Sequence, residues 1–117
     1  MIFTVSLYIS ADAQIMKNSG AAINVFTGSF LYVKDASLKD SSGAFIKTQG
    51  DAQLRVTDNF ISDGSKTRLK DNSKITVEKD LWNNDNLLNM DNSFIWVKGK
   101  IINWGFILNE KYIVIGP

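Results

Sequence analysis

Leu54-Arg55-Val56-Thr57 alternates apolar and polar residues, and the chain repeats this pattern at nearly regular intervals. The other copies are Leu7-Tyr8-Ile9-Ser10, Leu31-Tyr32-Val33-Lys34, Ile75-Thr76-Val77-Glu78 and Ile95-Trp96-Val97-Lys98. Their first residues are 24, 23, 21 and 20 positions apart. A period near 20 residues with this alternation indicates a protein built of stacked β-coils.

Each repeat contains the same parts in the same order. The first and third residues of each copy are apolar and suit a core, whereas the second and fourth suit solvent. A second apolar segment and a third strand follow, separated by corners rich in Gly, Asn and Asp, which tolerate positive φ. Pro117 is the single proline, so no proline interrupts the ladders between coils. We therefore predict an all-β fold, a right-handed parallel β-solenoid (β-helix) of about five coils with roughly 20–24 residues per coil.

The length of 117 residues fits a single domain, residues 1–117. We predict an N-terminal cap or partial coil at 1–6, coils at 7–30, 31–53, 54–74, 75–94 and 95–112, and a C-terminal cap at 113–117. Residues 1–9 followed by Ala11-Asp12-Ala13 loosely resemble a signal peptide. Because a basic start is missing and Leu7-Tyr8-Ile9 fits the repeat, we interpret this segment as the first coil.

Two other folds share part of this pattern. An antiparallel sandwich or small barrel also has short strands with turns every 8–12 residues. Residues 31–34, together with 104–107 and 111–113, resemble the ends of a bacterial SH3 module, a likeness that does not extend to the middle copies. The five aligned apolar columns favour the solenoid.

Composition excludes several classes of partner and chemistry. Thirteen Lys and Arg residues against twelve Asp and Glu residues give a formal net charge of +1, which provides no reason to expect nucleic acid as a partner. The chain has no Cys and no His, which removes thiolate chemistry, the usual general base and the commonest transition-metal ligand. No apolar run approaches the ~18 residues that a membrane-spanning helix needs, so we expect no membrane insertion.

The second position of each copy forms an outward column with an unusual composition. Its members are Tyr8, Tyr32, Arg55, Thr76 and Trp96. Aromatic rings in a row on a flat sheet offer a stacking surface to sugar rings or to another protein, and Arg55 could stack on Tyr32 from the next coil. The candidate ligand-binding residues are thus Tyr8, Tyr32, Arg55 and Trp96. The same column could instead act only as a cross-coil ladder, worth ~0.2–1 kcal/mol per pair.

One corner series carries carboxylates at Asp40, Asp63 and Asp85. If stacked, they could act as acid and base or hold Ca²⁺ through oxygen ligands. Asp is also an ordinary corner residue with no chemical role. We assign no catalytic residue, expect no cofactor, and keep these three only as weak Ca²⁺ candidates.

The later copies carry a family likeness. Residues 77–89 and 97–109 follow the form V-x-G-x-L-x-N-x-G-x-L-x-N, with Lys79 and Asp85 at two of the glycine positions. This form resembles the Asn/Gly-rich β-solenoid repeats of secreted surface and adhesin-like proteins of Bacteroidota-type bacteria, over roughly residues 7–113. The resemblance implies an exported stalk or binding surface, located extracellularly or on the cell surface.

A second likeness lies at the C-terminal end. Ile113-Val114-Ile115-Gly116-Pro117 resembles a stretch common in bactofilins, small bacterial cytoskeletal proteins with a short β-solenoid core. That resemblance implies a cytoplasmic protein that forms an end-to-end homo-oligomer. Which alternative applies depends on the terminal coils, since an uncapped coil exposes strand edges to another chain.

We expect a non-enzymatic structural or adhesive surface module that presents a flat outward β-face to glycan or protein. The alternatives are a bactofilin-like self-assembling filament protein and a carbohydrate-active β-helix enzyme.

Overall fold

The chain forms a parallel β-solenoid of about five coils, with about 21 residues per coil, in the computed structural model, which describes residues 14–117. The described residues form β1 (Gln14–Ser19), β2 (Ala22–Val25), β3 (Phe30–Val33), β4 (Ala36–Ser41), β5 (Phe45–Thr48), β6 (Gln53–Val56), β7 (Phe60–Leu69), β8 (Lys74–Val77), β9 (Leu81–Asn89), β10 (Phe94–Val97), β11 (Ile101–Asn103), β12 (Phe106–Asn109) and β13 (Tyr112–Ile115). Leu7, Tyr8, the predicted cap at 1–6 and the signal-peptide-like segment lie outside the described residues.

One face of the solenoid is a five-stranded parallel sheet, in the order β3, β6, β8, β10 and β13. The predicted L-x-V copies stack in it without a register slip. One inward column contains Leu31, Leu54, Ile75, Ile95 and Ile113, and the next contains Val33, Val56, Val77, Val97 and Ile115. Side chains in these columns are buried up to β10, which confirms the predicted fold and the inward positions of this face.

The remaining strands belong to one hydrogen-bonded sheet that bends into two faces. The long strands β7 and β9 run through the bend. The register of their pairing shifts there, between Asp63 and Lys66. The first face carries an inward column of Met16, Leu38, Phe60, Leu81 and Ile101. Phe60 is the largest fully buried side chain of the described residues. Burying an apolar side chain of this size contributes about 1.5–3 kcal/mol, so these columns hold the coils together.

Corner residues allow the chain to turn between faces. Asp71 and Asp91 have φ values of 59° and 58°, and Gly50 has 65° at the corresponding corner of an earlier coil. Each of these corners closes with a backbone hydrogen bond across three residues, such as the one of 3.2 Å from the Ser73 amide to the Lys70 carbonyl. Positive φ is accessible to Gly and, among other residues, mainly to Asn and Asp, which explains the composition of the corners.

Polar side chains occupy some of the interior. One inward column next to the apolar one contains Asn18, Asp40, Ser62, Asn83 and Asn103. The first four are buried. Within residues 14–117 the structure contains no helix that is long and apolar enough to cross a bilayer.

Candidate functional site

The outward face of the five-stranded sheet, which we call the ladder face, combines aromatic and charged side chains in straight columns. Its first column contains Phe30, Gln53, Lys74, Phe94 and Tyr112. Its second column contains Tyr32, Arg55, Thr76, Trp96 and Val114. Its third column, just beyond the strand ends, contains Lys34, Thr57, Glu78, Lys98 and Gly116, and backbone hydrogen bonds continue the ladder there. The regular coil spacing of about 4.8 Å sets the distance between members of a column.

Trp96, on β10, is an aromatic ring of the ladder face that a hydrogen bond holds in place. Its indole nitrogen donates a hydrogen bond of 2.7 Å to the carbonyl oxygen of Gly116 in the next coil. This bond holds the edge of the ring, and two cations lie close to it, with Lys98 Nζ 4.8 Å and Lys74 Nζ 5.7 Å from the ring centre. The ring is therefore held in one orientation before any ligand arrives.

An ion-pair network crosses three coils beside this ring. Arg55 Nε donates a hydrogen bond of 2.8 Å to Glu78 Oε1, and Lys98 Nζ lies 2.7 Å from Glu78 Oε2. The Lys98 and Arg55 hydrogen bonds lower the pKa of Glu78 below its ordinary value against the opposing effect of burial, so this carboxylate is ionised at neutral pH. The Arg55 guanidinium also lies over the Tyr32 ring, 5.5 Å from its centre.

Lys74 differs from the other cations near Trp96. Its Nζ lies 5.4 Å from the centre of the Phe94 ring, in addition to its contact with Trp96. Within residues 14–117, the ion pairs on the ladder face join Glu78 to Arg55 and Lys98, and none involves Lys74. The ammonium group of Lys74 is therefore held by aromatic rings without a neutralising carboxylate.

These side chains surround a shallow groove of about 190 Å³ that is open to solvent. Its walls include Arg55, Lys74, Glu78, Trp96 and Lys98. A groove with one aromatic wall and several hydrogen-bonding groups matches the usual composition of a ligand site, although it is smaller and more open than a typical small-molecule pocket.

The structure brings the described members of the predicted binding set together. Tyr32, Arg55 and Trp96 lie in one outward column with Thr76, and Arg55 stacks on Tyr32 as predicted. Tyr8 lies outside the described residues. The sequence interpretation missed Lys74 and Phe94, which precede the L-x-V copies by one residue and therefore point outward too. Their two-residue spacing from Thr76 and Trp96 was the available signal.

The three weak Ca²⁺ candidates, Asp40, Asp63 and Asp85, do not stack in one column. Asp40 pairs in register with Ser62 and is buried, whereas Asp63 pairs with Ser41 and Asn84 and is exposed. Asp85 lies in the bend of β9. Consecutive coils differ in length at this corner, so residues that look equivalent in the sequence point to different sides of the strand.

A different set of carboxylates does follow the coils, at the corner before the ladder face. Its members are Asp51, Asp71, Asp91 and Glu110. Each accepts a hydrogen bond from a backbone amide of the preceding coil, as Asp71 does from the Gly50 amide at 2.9 Å. These carboxylates satisfy corner amides, and in the part of the chain that the structure describes no three His, Cys, Asp or Glu residues group as a metal site.

Comparison with protein-family models, with curated proteins and with solved structures returned no match. The likenesses to surface solenoid repeats and to bactofilins therefore stay predictions from the sequence.

Proposed function

We propose that the chain is a non-enzymatic structural or adhesive surface module that presents the ladder face to a glycan or a protein. The observation that supports this most directly is the fixed Trp96 ring, which lies beside the Arg55–Glu78–Lys98 network on a flat, rigid sheet. Aromatic rings give a ligand a large contact area, and the charged groups provide directional hydrogen bonds.

Rigidity supports display rather than chemistry as the role of this face. Parallel ladders hold β6, β8 and β10 from both sides along the solenoid axis, and the inward columns of this face are buried up to β10. Side chains that are already ordered lose little conformational entropy on binding, so a preformed face of this kind binds at lower cost than a mobile one.

A glycan and protein binding screen with three versions of the chain tests this proposal. We expect the wild-type chain to bind at least one probe, Trp96→Ala to weaken that binding by about tenfold or more, and Trp104→Ala to leave it unchanged. Trp104 is the matched control because it is an exposed Trp, 67% accessible, that lies off the ladder face. Equal binding by the Trp96→Ala variant would exclude this face as the site, and conversion of a probe into product would contradict a non-enzymatic role.

The C-terminal coil favours self-assembly as a second candidate function. Its strands β11, β12 and β13 pair on one side only, with β9 and β10. Ile115 occupies a column whose other members are fully buried, yet it is 58% exposed, and Phe106 is 55% exposed. Among residues 14–117 no strand pairs with the outer edge of this coil, so it has strand edges and apolar side chains that a second copy could cover.

Two C-terminal coils would meet across a two-fold axis, each covering the same surface of the other. Molar mass measured by light scattering over a hundredfold concentration range tests this candidate. We expect mass to rise with concentration, Ile115→Lys to abolish the rise, and Phe26→Lys, at a corner far from that coil, to preserve it. A constant monomeric mass would exclude self-assembly, and growth that survives Ile115→Lys would exclude this end as the contact.

A further inference from the structure

The charges on the ladder face are distributed as one cation in each of four successive coils. Lys34, Arg55, Lys74 and Lys98 belong to three different columns of the face but lie in successive coils, which follow one another along the solenoid axis at a spacing of about 4.8 Å. Among the outward positions that the structure describes on this face, Glu78 is the one anion, whereas the whole chain has a formal charge of only +1. Positive charge is therefore concentrated on this face.

Lys74 is where an anionic group would gain most. Glu78 already neutralises part of the charge on Arg55 and Lys98, which lie 2.5 Å and 2.7 Å from its oxygens. Lys74 has no such partner among the described residues, and its ammonium group is positioned beside Phe94 and Trp96 at the groove. An acidic group placed here would form a charge-assisted hydrogen bond next to an aromatic surface.

We infer that the ladder face binds an acidic polysaccharide, an inference that rests on the proposed function and names the chemical class of its ligand. A sugar ring stacks on Trp96, and the carboxylate or sulfate of that sugar or its neighbour binds Lys74. Hydroxyl groups of the sugar donate to Glu78 and accept from Arg55 and Lys98, whose ion pairs keep these groups in place. The polymer runs along the solenoid axis, since the cations are arranged in that direction.

The same face fits a nucleic acid less well. Affinity for nucleic acid comes mainly from neutralising many closely spaced phosphates, and each phosphate contact needs its own cation. Here Glu78 lies among the four cations and forms ion pairs with two of them, Arg55 and Lys98. A carboxylate at this place repels phosphate but is a good acceptor for sugar hydroxyls.

Matched pairs of charged and neutral polymers test the inference. The probes are hyaluronan, alginate and polygalacturonate, each beside its carboxyl-reduced derivative, and dextran sulfate beside dextran. We expect at least one charged polymer to bind about tenfold more tightly than its neutral counterpart. Lys74→Gln should remove most of that difference, whereas Lys66→Gln, at an exposed lysine of β7 on another face, should preserve it.

The outcomes separate this inference from the proposed function. If charged and neutral polymers bind equally and Trp96→Ala weakens both, the face binds glycan but the acidic class is wrong. Failure of all charged polymers to bind, an equal loss in Lys66→Gln and Lys74→Gln, or tighter binding of an oligothymidylate would also overturn the inference. The proposed function itself would be rejected only if Trp96→Ala weakened the binding of no glycan probe and no protein probe.

Discussion

The side-chain amide of Asn18 donates a hydrogen bond of 2.6 Å to Oδ1 of Asp40 inside the solenoid, 22 positions further along the chain. Asp40 is fully buried, and its second oxygen, Oδ2, accepts no hydrogen bond from the described residues. Further along the same column, Asn83 Nδ2 donates to Asn103 Oδ1 at 2.9 Å. Asp40 is thus the one ionisable member of an interior column that otherwise consists of amides and a hydroxyl.

Burial raises the pKa of Asp40 above its ordinary value of 3.8, against the opposing effect of the Asn18 hydrogen bond. The folded state therefore keeps the Asp40 proton to a higher pH than the unfolded state does. Between the unfolded pKa and the raised folded pKa, the free energy of unfolding should fall as pH rises, because the folded state binds more protons there. Urea unfolding of the wild type in steps above pH 4 measures this slope.

Asp40→Asn should remove that slope, because an amide does not titrate in this range while it retains an acceptor for Asn18. The stability of the variant relative to the wild type should therefore increase as pH rises from 4 to 7. Asp63→Asn is the control, since Asp63 is exposed, and it should change stability by less than about 0.5 kcal/mol. A pH slope that persists in the Asp40→Asn variant would show that another group causes it.

Glu78 should produce a pH dependence of opposite sign. Its pKa is lowered from 4.5 mainly by the Lys98 hydrogen bond, so its contribution to stability is present above the unfolded pKa and is lost as pH falls through the folded pKa. In the Asp40→Asn background, unfolding measured from pH 6 down to pH 3 should show a loss of stability towards acid. Adding Glu78→Gln should make that loss smaller, and an unchanged acid limb would show that other carboxylates cause it.

The ladder face could be predicted from the sequence because every copy of its strand alternates strictly. Leu54 and Val56 are apolar, Arg55 and Thr57 are polar, and a slip of one residue would bury the charge on Arg55. The same strictness made the stacking of Arg55 on Tyr32 predictable, since equal positions of successive coils are neighbours.

The polar interior could not be predicted in this way. The sequence indicates a corner position for Asp40, as for the other Asn and Asp residues that follow an apolar segment, because polar side chains in a short strand usually face solvent. Stacking changes that rule, since an inward amide finds its hydrogen-bond partner in the next coil at the same position. Thr67 of β7 is also buried, in register with Ile46 and Leu87, but its hydroxyl finds no hydrogen-bond partner among the described residues.

Asn89→Ala should loosen the last coil. The Asn89 side chain is buried, its Nδ2 donates to Asn109 Oδ1 at 2.8 Å and to the Tyr112 carbonyl at 2.9 Å, and its Oδ1 accepts from Ser93 Oγ. The truncation leaves the Ser93 and Tyr112 groups without this partner, at a cost of about 2–3 kcal/mol. Urea unfolding measures the cost, and Asn109→Ala, at the exposed end of the same pair, should cost less than half as much. If both variants lost the same free energy of unfolding, the hydrogen bond to the exposed Asn109, and not the buried contacts of Asn89, would account for the effect.

Gly105→Ala should separate the last coil from the one before it, because this glycine allows two backbones to approach closely. A Cβ atom at Gly105 would lie 2.2 Å from the carbonyl oxygen of Asp85 and 2.6 Å from its amide nitrogen. Backbone atoms cannot move aside as a flexible side chain can, so we expect a loss of about 2 kcal/mol or more. Hydrogen exchange should also become faster at the Trp104 amide. This amide, next to Gly105 in the chain, donates a hydrogen bond of 2.9 Å to the Asn83 carbonyl.

Gly43→Asn is the matched control for this clash. Gly43 has a φ of 75°, which Asn tolerates better than most residues, and a Cβ atom there meets nothing within 4 Å. The control should therefore cost less than about 1 kcal/mol and leave exchange at Trp104 unchanged. If Gly105→Ala lowered the free energy of unfolding no more than Gly43→Asn does, the two coils could move apart at Asp85 at no cost in stability. The close approach of their backbones would then not contribute to the stability of the C-terminal coil.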